Sequence, residues 1–96
     1  MIQSFRDATT ADLFRERNTR AARRIPRELW RVVQRKLKLL DVAARLDDLL
    51  IPAGNRLEAL KGDQAGRHSI RVNDRYRVTF RWESGHAYEV SVEDYH

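Results

Sequence analysis

The sequence predicts an α+β fold in which a helical N-terminal half covers one face of an antiparallel sheet. Two observations support this prediction. Between positions 27 and 50 apolar residues recur every three or four residues, which is the spacing of an amphipathic helix. From position 67 onward the period changes to two, as expected for strands with one apolar face. A sheet with one apolar face needs one cover, and the predicted helix can provide it.

The length and composition fit a single domain over residues 1–96. A chain of this length has no room for a second core, and 42% hydrophobic with 34% charged residues favours a folded chain. The absence of cysteine excludes disulfides and thiolate metal sites. We find neither a signal-peptide pattern nor a run of about 18 apolar residues, so we expect a cytoplasmic protein without a membrane partner. The net charge of +5 suggests nucleic acid or an acidic protein as partner.

The first quarter of the chain predicts a strand, a short helix and a connector. Met1–Phe5 has apolar residues at positions 2 and 5 and is a candidate first strand. Thr9 or Thr10 is a suitable N-cap for a helix that ends near Arg17. Residues 18–24 are basic and lack an apolar period, which favours a connector.

A long helix is predicted from Pro26, which suits a first helical turn, to about Leu50. Its apolar stripe is wide enough to cover much of a sheet and includes Leu29, Val33, Leu37, Leu40 and Ala44. The opposite face is basic and includes Arg31, Arg35 and Lys38. Such a face is either simply solvated or a contact surface for RNA or an acidic partner.

A long loop, residues 55–66, follows the segment Ile51–Gly54 that ends this helix. Long loops in small domains are often functional. At its centre Lys61 precedes Gly62, and a lysine beside a glycine can approach a phosphate closely. An ordinary surface turn explains the same residues equally well.

Three strands in a meander are predicted after the loop, over residues 67–73, 75–82 and 88–95. Asn73–Asp74 and Glu83–His86 are the turns that join them. The side chains expected inward are His68, Ile70, Val72, Tyr76, Val78, Phe80, Trp82, Tyr88, Val90 and Val92. Those expected outward are Arg67, Ser69, Arg71, Arg75, Arg77, Thr79, Arg81, Glu89, Ser91, Glu93 and Tyr95.

The outward face is a candidate binding surface because it carries several arginines. Cross-strand pairs with Glu89 and Glu93 would neutralise some of them without any ligand. The remaining positive charge suits a polyanion, because a guanidinium can hold two phosphate oxygens at once. The residues expected to bind phosphates are Arg67, Arg71, Arg75 and Arg81.

The last three residues, Asp94-Tyr95-His96, add proton-transfer chemistry to this face. Metal-independent RNA cleavage needs a base for the 2′-hydroxyl, an acid for the leaving 5′-oxygen and a cation for the developing phosphorane charge. His96 can be the base or the acid, and Asp94 can be the other or orient the imidazole. Arg77 supplies the positive charge, and Tyr95 can stack on a base or bind the phosphate. A single terminal histidine is more often inert, so these residues alone leave catalysis open.

Other site chemistries find no support in the sequence. It contains no P-loop, dinucleotide fingerprint, nucleophile elbow or His-Glu-x-x-His motif. His68, His86 and His96 lack metal-ligand spacing. We therefore expect neither a metal nor a cofactor.

Three motifs resemble those of a known family. Residues 54–63, GNRLEALKGD, are similar to the loop signature of the HigB toxins, the plasmid maintenance system killer branch of the RelE/ParE superfamily. Residues 69–82, SIRVNDRYRVTFRW, resemble the strand signature that follows, and residues 93–96, EDYH, resemble its terminal Asp-Tyr-His. The motifs occur in the right order with the right gaps, which makes the resemblance specific.

The resemblance implies a small RelE-like fold, with an N-terminal strand and the C-terminal meander packed on two N-terminal helices. It implies a type II toxin that cleaves mRNA in the ribosomal A site and inhibits translation. For such a toxin we expect the basic helix face, with Arg31, Arg35 and Lys38, to be the surface that docks on the ribosome. The positions that match the family's catalytic residues are Lys61, Arg77, Asp94, Tyr95 and His96. The implied partners are mRNA on the 70S ribosome and a HigA-type helix-turn-helix antitoxin, through which alone operator DNA would be bound.

Two alternatives stay open. A ParE-like gyrase poison shares the fold and needs no nuclease residues, although the intact Asp94-Tyr95-His96 motif favours the nuclease. A non-catalytic module that binds RNA or the antitoxin would carry the same residues without using them.

Overall fold

A computed structural model describes residues 1–95 of the protein. It contains two α-helices, α1 (Ala8–Phe14) and α2 (Trp30–Val42). The strands are β1 (Glu58–Ala59), β2 (Arg67–Arg71), β3 (Tyr76–Glu83) and β4 (His86–Asp94), and they form one antiparallel sheet in this order. Short 3-10 turns lie at Ala22–Arg24, Arg27–Leu29, Leu46–Leu50, Ala53–Asn55 and Gly62–Gln64. The predicted α+β class is confirmed.

The core lies between α2 and the inner face of the sheet, as predicted. The buried residues of α2 are Trp30, Val33, Leu37 and Leu40. The fully buried core residues of the sheet include Ile70, Val78, Phe80 and Val90. The two apolar periods in the sequence therefore meet in one core, and removal of these side chains from water is the main favourable contribution to folding.

The long helix is shorter than predicted, because α2 ends at Val42. Ala43 leaves the helical conformation with φ −63° and ψ 128°. A separate turn, Leu46–Leu50, continues the apolar spacing, and the Asp48 carboxylate caps it by accepting from the backbone N–H of Arg45 at 3.0 Å. The apolar period therefore continues from α2 into this turn, and the period alone does not show that the helix ends between them. None of the helices in residues 1–95 is long and apolar enough to cross a membrane.

The first helix has a different N-cap from the one predicted. The Asp7 carboxylate accepts from the backbone N–H of Thr10 at 2.8 Å, and α1 ends at Phe14, before the predicted end. The two threonines make tertiary contacts instead. The Thr9 hydroxyl donates to a backbone carbonyl in the following connector, and the Thr10 hydroxyl accepts from the Val92 N–H at 2.9 Å. This second bond joins α1 to β4.

The N-terminal segment lies beside β4 but is not a regular strand. Ile2 and Phe5 form isolated parallel bridges with Ala87 and Val90, respectively. The fourth regular strand is β1, which lies within the loop predicted to lack structure and pairs with β2. The strand predicted at the N-terminus is thus reduced to two bridges.

β4 departs from strict alternation. Its pairing with β3 shifts register between Thr79 and Arg81, and β4 accommodates one extra residue there. Glu89, with φ 50°, lies in the left-handed region, as is common at a β-bulge. Ala87 rather than Tyr88 consequently faces the core, and Tyr88 lies opposite Arg81 on the outward face. The inward position predicted for Tyr88 is wrong because of this bulge.

The loop between β2 and β3 is longer than the predicted two residues. The Asn73 side-chain oxygen accepts from the backbone N–H of Arg75 at 2.9 Å and of Tyr76 at 2.7 Å. This side chain closes the turn together with the Tyr76 carbonyl, which accepts from the backbone N–H of Val72 at 3.0 Å. The loop therefore includes Arg75, and the meander topology is otherwise as predicted.

Candidate functional site

The outward face of β2, β3 and β4 carries the candidate site. The register places Arg71 opposite Arg77, and Arg77 opposite Glu93 on its other side. Ser69 and Thr79 lie opposite each other in the middle of the same face. The sheet thus brings arginines, hydroxyls and a carboxylate onto one surface, as the alternation predicts.

Arg77 lies on this face and is held by its neighbours. Its Nε donates to the Ser69 hydroxyl at 2.7 Å, and its Nη2 donates to the Arg56 carbonyl at 2.6 Å. Its Nη1 lies 4.0 Å from a carboxylate oxygen of Glu58, and only 12% of its side chain is exposed. The guanidinium is therefore oriented before any ligand binds, which is what electrostatic stabilisation of a transition state requires. Neither Glu58 nor Arg56 is among the predicted site residues.

The loop that carries Lys61 is attached to this face at two points. The bond from Arg77 to the loop carbonyl is one of them. The Gln64 side-chain amide provides the other, because it donates to a Glu93 carboxylate oxygen at 3.2 Å. Lys61 itself is exposed, and Gly62 beside it has φ 64°, a conformation that favours glycine. Lys61 therefore lies on a loop that is attached to the face, and the contact between Gln64 and Glu93 is one that the sequence did not indicate.

The end of β4 is bound to the β2–β3 loop through Arg75 and Asp94. Arg75 Nε donates to the two Asp94 carboxylate oxygens at 3.1 and 3.0 Å, and Nη2 donates to one of them at 2.8 Å. Hydrogen bonding to Asp94 raises the pKa of the Arg75 guanidinium. The Tyr95 N–H donates to the Arg75 carbonyl at 2.5 Å, and Tyr95 is 38% exposed. His96, predicted to be catalytic, lies outside the described residues.

Two arginines of the face pair with exposed carboxylates. Arg71 donates to Asp74, whose side chain is 99% exposed, and Arg81 donates to Glu83. The Arg81 guanidinium also lies 4.7 Å from the centre of the Tyr88 ring. Exposed ion pairs stabilise a fold by only about 0–1 kcal/mol, so these two pairs contribute little to the stability of the protein.

Arg67 is buried beneath the face, with 9% of its side chain exposed. Its Nη2 donates to the Thr79 hydroxyl at 2.9 Å and to the Glu89 carbonyl at 2.8 Å, and Thr79 in turn donates to Glu93. Burial is the main cause that lowers the pKa of the Arg67 guanidinium. The folded protein does not present this side chain to solvent, so the predicted contact between Arg67 and phosphate stays a prediction.

Every arginine predicted on the face has a carboxylate within 4.0 Å. The pairs are Arg67 with Glu89, Arg71 with Asp74, Arg75 with Asp94, Arg77 with Glu58, and Arg81 with Glu83. The surplus of positive charge predicted for this face is therefore wrong. The prediction considered only the outward glutamates of the last strand. Further carboxylates come from β1, the turns and the strand ends, namely Glu58, Asp74, Glu83 and Asp94.

The basic residues predicted to dock on the ribosome, Arg31, Arg35 and Lys38, are exposed on α2. Arg31 lines a cleft of about 450 Å³, and Arg35 and Lys38 line another of about 380 Å³. Since the buried side of α2 packs on the inner face of the sheet, these residues lie away from the outward face. Their role in docking stays a prediction.

The side chains of the face suit the binding of phosphate and the transfer of protons. They are guanidiniums, hydroxyls, carboxylates and a phenol. Among residues 1–95, no three His, Cys, Asp or Glu side chains are grouped in a way that could hold a metal ion.

The fold of this chain has relatives among solved structures. A chain of the YoeB–YefM complex from Staphylococcus aureus superposes with a TM-score of 0.60 at 17% identity, over 100% of this chain and 98% of that chain. The protein belongs to the HigB-like toxins, since the family described as "RelE-like toxin of type II toxin-antitoxin system HigB" matches residues 3–96. The resemblance seen in the sequence motifs is confirmed.

Two relatives agree with this assignment. Toxin HigB-1 of Vibrio cholerae serotype O1 is 48% identical over 63 residues, which cover 66% of this chain and 66% of that protein. Endoribonuclease HigB of Proteus vulgaris is 33% identical over 100 residues and is matched over 100% of both chains. The chain thus spans about two thirds of the first relative and the whole of the second.

Proposed function

We propose that the protein is the toxin of a type II toxin–antitoxin pair and an endoribonuclease that cleaves mRNA in the ribosomal A site. Its family and the name of the Proteus vulgaris relative support the toxin and nuclease assignments. The observation that carries the proposal is the position of the oriented Arg77 opposite Glu93, directly before Asp94 and Tyr95. A cation on β3 is therefore adjacent to the end of β4, where Asp94 and Tyr95 supply a carboxylate and a phenol.

Cleavage proceeds by attack of the RNA 2′-oxygen on the adjacent phosphorus. As this bond forms, the 2′-hydroxyl proton passes to a base. As the bond from phosphorus to the 5′-oxygen breaks, an acid protonates that oxygen. The products are a 2′,3′-cyclic phosphate and a 5′-hydroxyl, and no metal takes part.

The residues of the site take distinct parts in this reaction. His96 transfers a proton, and Asp94 either transfers the other or orients the imidazole. Asp94 already binds Arg75 with both carboxylate oxygens, which favours the orienting part. Arg77 and Lys61 stabilise the charge that develops on the phosphate oxygens, and Tyr95 stacks on a base or hydrogen-bonds the phosphate.

When RNA binds, its phosphates replace protein carboxylates as the partners of the arginines on the face. Arg71 and Arg81 have exposed partners and are the first to exchange. Arg75 keeps its tighter pair with Asp94 and offers phosphate the remaining side of its guanidinium. Arg67 supports the sheet from below.

The partners follow from the same proposal. They are mRNA on the 70S ribosome, reached through the basic face of α2, and a HigA-type antitoxin through which operator DNA is bound. The structural relative is described as a complex of YoeB with YefM, which supports an antitoxin as partner. The proposed location is the cytoplasm.

The decisive experiment is mRNA cleavage on programmed 70S ribosomes. Wild-type protein, His96→Ala and Arg77→Ala are compared, with Arg45→Ala as a control because its side chain is 79% exposed and remote in sequence from the site. We expect codon-positioned cuts from the wild type and the control, and almost none from the two site variants.

Two other outcomes contradict the proposal. Inhibition of DNA gyrase in a parallel supercoiling assay, without any mRNA cleavage, identifies a ParE-like poison. Binding of the antitoxin or RNA without effect in either assay identifies a non-catalytic module, which the carboxylate pairing of every arginine on the face would then explain.

A further inference from the structure

Glu93 is the most buried of the carboxylates that lie on the outward face of the sheet. Its side chain is 26% exposed, whereas the carboxylates that pair with the arginines of this face are between 39% and 99% exposed. It lies opposite Arg77 in the pairing of β3 with β4, yet the ion pair that it makes among residues 1–95 is with the half-exposed Arg6, at 4.0 Å. Such a pair contributes little, so neutralisation of a neighbouring arginine does not explain why Glu93 is buried.

Glu93 instead accepts hydrogen bonds from β3 and from the loop that follows β1. The Thr79 hydroxyl donates to one carboxylate oxygen, and the Gln64 side-chain amide lies 3.2 and 3.3 Å from the two oxygens. The Thr79 oxygen also accepts from the buried Arg67 at 2.9 Å, which leaves the single proton of the hydroxyl for Glu93. Both neighbours are therefore donors, and a carboxylate can accept from both at once.

Gln64 connects this carboxylate to Lys61. It is the last residue of the short turn that follows Lys61, and its backbone N–H donates to the Lys61 carbonyl at 3.2 Å. Restraint of the Gln64 side chain therefore restrains the Lys61 backbone. In β4, Glu93 pairs with Arg77 and directly precedes Asp94. One buried side chain thus joins the loop to both strands that carry the proposed reaction.

We propose that Glu93 is a positioning residue, which holds the Lys61 loop at the distance from Arg77 that RNA cleavage requires. The inference rests on the proposed function, in which these two cations stabilise the charge on the same phosphate. Their separation must then be fixed, because a displacement of about 1 Å can lower a rate by about 100-fold. Glu93 acts through Gln64 and Thr79, and it exchanges no proton with the RNA.

The test exchanges the two partners of the loop contact. Gln64→Glu places a second carboxylate against Glu93, and the repulsion of like charges breaks the contact. In the double variant Gln64→Glu/Glu93→Gln, the amide introduced at position 93 donates to the carboxylate at position 64. The oxygen of that amide still accepts from Thr79, so the double variant restores the contact.

Two further variants complete the comparison. Glu93→Gln should have a smaller effect than Gln64→Glu, because the Gln64 amide can turn its oxygen towards the new amide. Gln3→Glu is the matched control, since it makes the same substitution at an exposed residue that is bonded to Ala87, near the opposite end of β4. Thermal unfolding of each variant establishes that all are folded.

Hydrogen exchange measured by NMR shows whether the loop is held. The amides followed are those of Gln64 and Ala65, which donate to the carbonyls of Lys61 and Gly62. Their exchange should be faster in Gln64→Glu, return to the wild-type rate in the double variant and stay unchanged in the control. Unchanged exchange in Gln64→Glu overturns the proposal.

Cleavage of mRNA on programmed ribosomes shows whether this restraint serves the reaction. We expect Gln64→Glu to lower kcat by about 10- to 100-fold with little change in KM, and the double variant to recover most of the loss. The double variant keeps the new carboxylate three residues after Lys61, so its recovery excludes neutralisation of Lys61 as the cause.

Two results of the cleavage assay overturn the proposal. One is a double variant as slow as Gln64→Glu, and the other is a kcat for Gln64→Glu equal to that of the wild type. If the wild type itself does not cleave, the proposed function fails instead, and the exchange measurement alone decides whether Glu93 holds the loop.

Discussion

Replacement of Arg67 should weaken the fold by an amount that depends on the side chain introduced. Arg67 is 9% exposed and donates to Thr79 on β3 and to the Glu89 carbonyl at the bulge of β4. Arg67→Ala removes these bonds and the aliphatic part of the side chain. Arg67→Met removes the bonds but fills most of the same space.

The change in the free energy of unfolding is the sum of opposing contributions. The two hydrogen bonds from a charged donor contribute about 1.5 kcal/mol each, and the two methylene groups lost in the alanine variant contribute about 0.8 kcal/mol each. Arg67 Nε and Nη1 are buried without a hydrogen-bond partner in the described residues, and their removal restores about 1 kcal/mol each. Nη1 also lies 3.6 Å from a carboxylate oxygen of Glu89, but the Glu89 side chain is 57% exposed, so this ion pair contributes little. The free energy of unfolding should therefore fall by about 2.5 kcal/mol in Arg67→Ala and by about 1 kcal/mol in Arg67→Met.

Urea unfolding followed by circular dichroism measures both changes. Arg71→Ala is the control, since its partner Asp74 is 99% exposed, and its loss should stay within about 0.5 kcal/mol. If Arg67→Met is destabilised as much as Arg67→Ala, packing of the aliphatic part contributes nothing and the reasoning fails. A loss in Arg67→Ala no greater than that of the control would refute the buried role of Arg67.

Three further predictions concern other residues. Arg77→Ala should lose about 2–4 kcal/mol of transition-state stabilisation, measured as the cleavage rate on ribosomes; an unchanged rate in a folded variant rules out its proposed role. Burial lowers the pKa of His68, so its imidazole binds a proton more readily in the unfolded chain than in the folded one. The free energy of unfolding should therefore be highest above about pH 6.5 and decline as the pH falls below it. Urea unfolding at several pH values tests this, and His68→Phe should reduce the decline. Asn55 is fully buried and donates to the Leu49 carbonyl at 3.2 Å, so Asn55→Ala should lose about 1–3 kcal/mol in urea unfolding; a change below about 0.5 kcal/mol contradicts this.

Periodicity predicted the layers of the fold but not where its elements end. The apolar stripe of α2 and the alternation of β3 follow directly from which side chains must leave water. Beyond the end of α2 at Val42, the Asp48 carboxylate accepts from the backbone N–H groups of Ala44 and Arg45 and caps the next turn without interrupting the stripe. The bulge at Glu89 similarly inserts one residue into β4. The alternation of side chains within one strand does not show such an insertion, because a bulge is defined by the pairing with the neighbouring strand.

Alternation also assigned the site residues to a face but could not give their depth or partners. It placed Arg77 correctly, yet it treated Arg67 as exposed although it is buried. The partner of Arg77, Glu58, lies on β1, a strand of two residues that no periodicity can show. The three sequence motifs identified the family because they record such non-local requirements together, and the Arg56–Lys61 loop is an example of a segment fixed by contacts from another strand.

The net positive charge of the protein does not lie on the outward face of the sheet, where RNA is proposed to be recognised. The arginines of the sheet each have a carboxylate within 4.0 Å, so the face has little net charge with which to attract a polyanion from beyond a Debye length of about 8–10 Å. Residues 15–31 carry the unbalanced charge on the side of the molecule that bears the helices. Neutralising Arg31 and Arg35, which are exposed on α2 and proposed to dock on the ribosome, should raise KM for ribosome-bound mRNA and leave the rate at saturation nearly unchanged. Removal of Arg77 should lower the rate at saturation, because its contribution is made only in the transition state.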